Sequence, residues 1–344
     1  MDSCPVPNQT SDTVQLAHGG GGSLTRRLVT EVFQQAFDNP LLHQHHDGAV
    51  FNAGGARLAF TTDSYVVQPL FFPGGDIGKM AVCGTVNDLA MCGARPVCLS
   101  VGLIIEEGFP MADLRRVVES MREAAAVAGV DIATGDTKVV DRGKGDGLFI
   151  NTSGVGIVED EVSIGPRQVQ PGDAVLLTGD IGRHGIAILT AREGLELEQA
   201  INSDCAPLVA AVGALRQCGA ELHCLRDLTR GGLATALKEI ALDSGHEIRL
   251  QESAIPVGDG VRGAAELLGL DPLYVANEGR MIVILPAAGL PAALAALKNV
   301  PATAGAVQIG SVTAATNSRL ILETAIGANR VLDLLTGEQL PRIC

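Results

Sequence analysis

Aromatic residues are scarce in this chain, at 3%, and so is positive charge: 25 Lys and Arg face 39 Asp and Glu, a formal net charge of −14. General nucleic-acid binding is therefore not expected, because a phosphate backbone demands a basic footprint. A nucleotide is still admissible, since Mg²⁺ and local backbone N–H groups can offset its phosphates. Long apolar runs are missing as well. The most apolar stretch, Met281–Leu297, lies between Arg280 and Lys298 and is broken by Pro286, Gly289 and Pro291. It falls short of the roughly 20 residues a bilayer span needs. The opening MDSCPVPNQTSD has neither a basic start nor an apolar run. No secretion signal is read there, and the cytoplasm is the expected compartment. The eight cysteines include no C-x-x-C pair, which removes zinc ribbons and thioredoxin-type motifs. Gly78-Lys79-Met80 lacks the Ser/Thr and the spaced Gly of a Walker A loop, and no G-x-G-x-x-G occurs. Any nucleotide fold is of another kind.

What is present is ample core-forming material. Apolar residues make up 47% of 344 positions, enough for about two domains. Strand patterns cover Arg57–Val67 and Leu148–Val158, and a helical pattern runs from about Ile77 to Cys92. Pro110 opens a helix whose Leu114, Val117, Val118, Met121, Ala125 and Ala128 follow the 3.6-residue period. Gly165-Pro166 and Pro171-Gly172-Asp173 mark a boundary, after which strands and helices resume. We expect an α/β (α+β) protein of two mixed domains. The expected divisions are an arm, Gly-rich loop and helix over 1–38, a first domain over 39–160, a second over 161–323, and a tail over 324–344. Residues 39–56 read as loop.

Four aspartates fall where loops or strand ends are expected: Asp47, Asp63, Asp88 and Asp136. Each alone suits a cap or a turn. Together they suggest a site for a hard cation. Mg²⁺ takes one or two carboxylates plus substrate phosphates, so four would suit more than one ion on a triphosphate. Gly20, Gly21 and Gly22 precede a predicted helix and are placed to offer N–H groups to phosphate. Arg226-Asp227-Leu228-Thr229-Arg230-Gly231-Gly232 opens a helix in the second half, either as a simple helix start or as an anion site flanked by arginines. His43, His45 and His46 cluster in a loop, as solvated side chains or as transition-metal ligands.

Cys344 is the last residue. Prenylation would need a Cys fourth from the end, so lipidation is excluded. A thiol ending a long tail is suited to carrying a chemical group. The 20 steps from Thr324 to Cys344 span at most about 66–72 Å, against a radius of gyration near 20 Å for a compact body of this length. Such a tail reaches its own active site or a partner's. At a pKa of about 8.5, little of the thiol is thiolate near neutral pH, so an enzyme must activate it.

The ending Pro341-Arg342-Ile343-Cys344 resembles the C-terminal signature of the HypE family of hydrogenase maturation proteins. The similarity continues through Phe60–Ser64, Phe71–Lys79, Gly84–Met91, Gly135–Val140, Arg226-Asp227, Thr229–Gly232 and Ala276–Gly279. That family falls in the superfamily of aminoimidazole ribonucleotide synthetase and selenophosphate synthetase. The resemblance implies a homodimer with ATP at the interface of the first domains. It implies loading of a carbamoyl group on Cys344 by the carbamoyltransferase HypF. ATP-dependent dehydration to a thiocyanate would follow, then cyanide transfer to iron on a HypC–HypD complex. By the same resemblance Asp47, Asp63, Asp88 and Asp136 bind Mg²⁺–ATP, and Lys79, Asn87 and Thr137 join the Gly loop in nucleotide contact. Lys138 and Glu278 handle protons or orient groups beside Cys344. His46-Asp47-Gly48 departs from the family's usual Asp-Asp-Ala, and Leu228 stands where Pro is usual. Two other functions fit less: a selenophosphate synthetase, whose Cys or Sec with nearby Lys is missing from the Gly run, and a non-catalytic cyanide carrier.

Overall fold

A computed structural model of the chain describes residues 13–159, 162–195, 200–335 and 343. A short helix α1 (Ser23–Leu28) runs on as π-helix over Val29–Gln34. Strands β1 (Ala49–Ala53) and β2 (Ala56–Tyr65) follow, then the small hairpin β3 (Phe71–Phe72) and β4 (Gly75–Asp76). Next come α2 (Ile77–Met91), β5 (Arg95–Glu106), α3 (Met111–Ala128), β6 (Asp131–Val140) and β7 (Leu148–Ile157). The first sheet has the order β1-β2-β7-β5-β6 and is antiparallel except for the β5–β6 pair.

Helices α2 and α3 cover one face of this sheet. On β7 the alternation is plain: Leu148, Ile150 and Thr152 are buried, while Asn151 and Ile157 are exposed. That is the period-2 pattern of a half-covered sheet. Helix α2 is held very close to the sheet. A Cβ on Gly154 would meet Leu89 Cδ1 at 2.8 Å, and one on Gly84 would collide with the Tyr65 hydroxyl. Glycine is required at both for the layers to approach. Asp76 caps α2, its Oδ1 accepting from Gly78 N at 2.8 Å and Lys79 N at 3.0 Å.

The second domain contains β8 (Asp173–Leu177), α4 (Arg183–Glu193), α5 (Val209–Gln217), β9 (Cys224–Asp227), α6 (Gly232–Ser244) and β10 (Ile248–Gln251). It continues with α7 (Asp259–Leu268), β11 (Met281–Pro286), α8 (Leu290–Lys298), β12 (Val307–Val312), β13 (Leu320–Glu323) and β14 (Asn329–Leu332). Its sheet has the order β14-β13-β10-β12-β8-β11-β9. The run Met281–Leu285 is apolar throughout because both faces of β11 are covered. Ile282 and Ile284 pack in the cluster with Leu237 and Ile240 of α6. Met281, Val283 and Leu285 pack with Val212 of α5 and Leu297 of α8. Among the described residues, no helix is long and apolar enough to cross a membrane.

Three expectations need correction. Residues 49–53 are not loop: Ala49–Ala53 pairs with β2. The second sheet does not end at Glu323, because β14 pairs antiparallel with β13 through Leu332. The tail expected from Thr324 thus begins later. Asp136-Thr137-Lys138 is no loop either. It lies mid-strand on β6, which extends to Val140 because it pairs residue by residue with β5.

Candidate active site

Asp47 precedes β1, Asp63 lies on β2, Asp88 on α2 and Asp227 ends β9. All four line one cleft between the domains, together with Gly21 and Arg230. Carboxylate oxygens of Asp47, Asp88 and Asp227 all lie within 4.8 Å of one another. The electrostatics of this trio are frustrated. Burial pushes Asp88 well above the usual carboxylate range, and Asp227 and Asp47 beside it push further. Asp227 is raised by burial and then by Asp47. Burial also acts upward on Asp47, but Arg226 and His46 outweigh it and hold the group low. Arg226 Nη1 donates to Asp47 Oδ1 at 2.8 Å, whereas Asp47 Oδ2 is buried without a hydrogen-bond partner among the described residues. Three crowded carboxylates with a spare buried oxygen form a hard-oxygen donor set, which fits Mg²⁺.

Asp227 is the residue the sequence reading did not place in the cation site. It belongs to the second domain, and only the packing of α2 against β9 brings it to Asp88. The signal available was its adjacency to Arg226 in a strand-to-helix turn.

Asp136 stands elsewhere. On edge strand β6 its Oδ2 accepts from Lys138 Nζ at 2.6 Å, with the two side chains 72% and 68% exposed. Lys138 lowers the Asp136 carboxyl, helped by the Thr137 N–H. Within one chain, then, Asp136, Thr137 and Lys138 do not line the acidic cleft.

The Gly run is docked rather than loose. Gly21 lies against the Arg230 side chain, where a Cβ would come within 2.7 Å, and the Gly21 N–H donates to Thr25 Oγ1 at 2.9 Å. Gly22 abuts the Leu335 carbonyl, which accepts from Ser23 N at 2.8 Å. Gly20 caps the preceding 3₁₀ turn. Lys79 Nζ donates to the Gly74 carbonyl at 3.0 Å.

Asn87 is engaged with the second domain. Its side chain is buried, its Oδ1 accepting from Leu208 N at 2.7 Å and its Nδ2 donating to the Ala206 carbonyl at 3.2 Å. Both ends of the amide thus hold the 206–208 backbone of the second domain. Asn87→Ala should lower stability by about 1–3 kcal/mol, the cost of leaving a buried N–H unpaired. Denaturant melts will show it, while ATP affinity measured on the folded variant stays within about twofold.

The three loop histidines do not converge. His43 pairs with Asp38 and His45 with Asp243. His46 is buried, and its Nδ1 accepts from Asp47 N at 2.8 Å.

Glu278 is 2% exposed and its Oε1 has no hydrogen-bond partner among the described residues. Burial pushes its carboxyl well above the ordinary range, and Asp227, Asp63 and Asp204 add to the shift. A protonated or readily protonated carboxyl in an interior site is the usual arrangement for general acid–base work. Its loop is fixed from below: Asp204 accepts from Glu278 N at 3.3 Å and from Gly279 N at 3.0 Å. Cys344 itself lies outside the described residues. Its neighbour Ile343 is described and is 3% exposed, packed in one apolar cluster with Cys83, Cys205 and Ala276. Ile343 therefore shares its apolar cluster with Ala276 of the loop that carries Glu278.

Comparison with known proteins gives a consistent picture. A family model described as AIR synthase related protein, N-terminal domain, matches residues 45–158, and its C-terminal counterpart matches residues 170–323. The chain is 51% identical over 332 residues to the carbamoyl dehydratase HypE of Azotobacter vinelandii, covering 96% of this chain and 97% of that one. It superposes on a chain from a crystal structure of a HypE–HypF complex with a TM-score of 0.85, at 44% identity, covering 90% of this chain and 99% of the other. Against HypE in complex with ATP the TM-score is 0.81 at 48% identity, covering 96% and 100%.

Proposed function

This chain belongs to the AIR synthase related family, among the carbamoyl dehydratases of the HypE type, and from that premise we propose the reaction it performs on itself. The substrate is an S-carboxamide on Cys344. ATP places its γ-phosphoryl group on the amide oxygen, which turns a poor leaving group into phosphate. The amide nitrogen gives up its two protons, the C–O bond breaks, and a thiocyanate, ADP and phosphate remain. Cyanide then passes to iron for nickel–iron hydrogenase.

The observation that carries this reading is the seat of Ile343 beside Glu278. A buried carboxyl with one oxygen unpartnered among the described residues, and with raised proton affinity, suits removal of an amide proton next to a terminal residue. Asp47, Asp63, Asp88 and Asp227 would hold Mg²⁺, which when bound supplies charge neutralisation for the triphosphate. Arg230 lines the same cleft and is placed to meet phosphate oxygens.

Asp136, Thr137 and Lys138 find their use in a homodimer. Edge strand β6 is exposed along almost its whole length, and Ile132 and Val139 are among its exposed apolar residues. Phe60, Val97 and Ile104 of the same sheet are exposed as well. An uncovered apolar sheet of this kind marks an interaction surface. A second copy on it would bring Asp136 and Lys138 towards the partner's nucleotide. HypF is the proposed carbamoyl donor, since a HypE relative is seen in complex with it. The HypC–HypD complex is the proposed cyanide acceptor, and the cytoplasm the proposed compartment.

The test is to incubate the protein with the carbamoyltransferase, carbamoyl phosphate and Mg²⁺–ATP and to weigh the C-terminal peptide. A carbamoyl group is gained, and one water is then lost in an ATP-dependent step. Cys344→Ala shows neither change. A carboxamide that persists with ATP bound rejects the reading.

A further inference from the structure

His184, at the start of α4, is fully buried, and both of its ring nitrogens are engaged. Nε2 lies 3.0 Å from the carbonyl oxygen of Ile343, and Nδ1 lies 2.8 Å from Ser203 Oγ. A carbonyl oxygen only accepts, so Nε2 carries the hydrogen. The Ser203 hydroxyl then donates to Nδ1, and its oxygen accepts from Cys205 N at 3.1 Å. Burial lowers the ring's basicity, in keeping with this neutral tautomer. The edge-on contact with Phe72, at 5.5 Å between centroids and 85° between planes, fixes the ring plane. Every hydrogen-bonding group of the ring is satisfied, and the last link of the chain of bonds ends on the tail.

The same short segment serves the other side of the reaction. Ser203 orients His184, while the next residue, Asp204, holds the backbone N–H groups of Glu278 and Gly279. Ser203 N in turn donates to the Pro73 carbonyl at 2.8 Å, anchoring the segment on the first domain. One rigid stretch of chain thus sets the position both of the carboxyl and of the carbonyl just before the terminal cysteine.

We propose that His184 is a positioning residue for the terminal cysteine: by gripping the Ile343 carbonyl it registers the chain end against Glu278. This deepens the reaction proposed above and rests on it. Such a grip must open when the thiol leaves to be carbamoylated and close again for dehydration, so its loss affects the two steps differently.

The experiment compares His184→Phe, which keeps an aromatic ring without a donor, with His184→Gln, whose amide N–H replaces Nε2–H. Two rates are read: single-turnover dehydration of the pre-carbamoylated protein, and alkylation of Cys344 by a maleimide, followed on the C-terminal peptide. His184→Phe is expected to slow dehydration about 10–100-fold, the loss for a misregistered reactant. It should speed alkylation severalfold and leave carbamoylation by HypF and ATP affinity within twofold. His184→Gln should recover most of both rates. Ser203→Ala, which keeps the ring and frees its tautomer, should give a smaller change in the same direction. Dehydration and alkylation of His184→Phe both within twofold of the parent would overturn the inference. So would equal damage in His184→Phe and His184→Gln with a lowered melting temperature, since that is a packing defect. A parent protein that alkylates as expected but never dehydrates its carboxamide would instead reject the proposed reaction and leave the grip standing.

Discussion

Glu278→Gln should dehydrate the carbamoylated terminus about 10²–10⁴-fold more slowly than the parent, the usual worth of a positioned acid–base group. Gln matches Glu in size and keeps one carbonyl oxygen, so the Ile343 seat and the Asp204 contacts to the backbone at 278–279 survive. What is lost is the capacity to take up a proton. The same substitution should make the protein more stable at neutral and higher pH. In the unfolded chain the Glu278 carboxyl titrates near the ordinary value of about 4.3. Burial and the nearby Asp227, Asp63 and Asp204 raise it in the native state. Between those two values the native state holds a proton that the unfolded state has released. Stability is therefore full below the unfolded pKa and falls as pH rises through the native one. Gln has no such slope. Thermal melts over a pH series, read beside single-turnover rates, should show activity and stability moving in opposite directions. A Glu278→Gln protein that turns over normally would remove Glu278 from the chemistry.

Asp227→Asn should show the same opposition at the acidic end of the site. The parent crowds oxygens of Asp47, Asp88 and Asp227 within 4.8 Å, which favours a bound divalent cation and disfavours the empty protein. Asn keeps the shape and removes one negative charge. Without metal the variant should melt higher than the parent, because two raised carboxyls no longer compete. With Mg²⁺ the order should reverse. A ligand at 100 times its Kd stabilises by about 2.7 kcal/mol, and only the parent should gain this. Mg²⁺–ATP affinity should fall at least 10–100-fold, roughly what loss of a partner one step outside a metal's ligands costs. Calorimetric titrations with Mg²⁺–ATP check the affinity. A variant whose melt still rises with Mg²⁺ as the parent's does would show that Asp227 is not part of a cation site.

The helices and central strands were legible because their patterns are periodic or bounded by turns. The α3 stripe of Leu114, Val117, Met121 and Ala125 and the apolar run of β11 are examples. Strands β1 and β14 were not legible: each is short, lies at a sheet edge and lacks strong alternation, so its pairing partner decides its state. Asn87 shows the same limit for a side chain. The family resemblance implies phosphate contact for it, and only the fold shows that the 206–208 backbone bonds to both ends of its amide.

By itself the sequence determined the mixed α/β plan, three of the four aspartates of the acidic cleft and, through the family resemblance of its last four residues, the cysteine terminus. Local order and short motifs suffice for these. The tertiary structure alone decided which carboxylates share one cleft, why Asp136 and Lys138 stand apart from it, and that His184 grips the chain end. Each of those depends on contacts between residues distant in sequence, such as Asp88 with Asp227 and His184 with Ile343. Their strength comes from burial, which no stretch of sequence carries until the chain has folded around it.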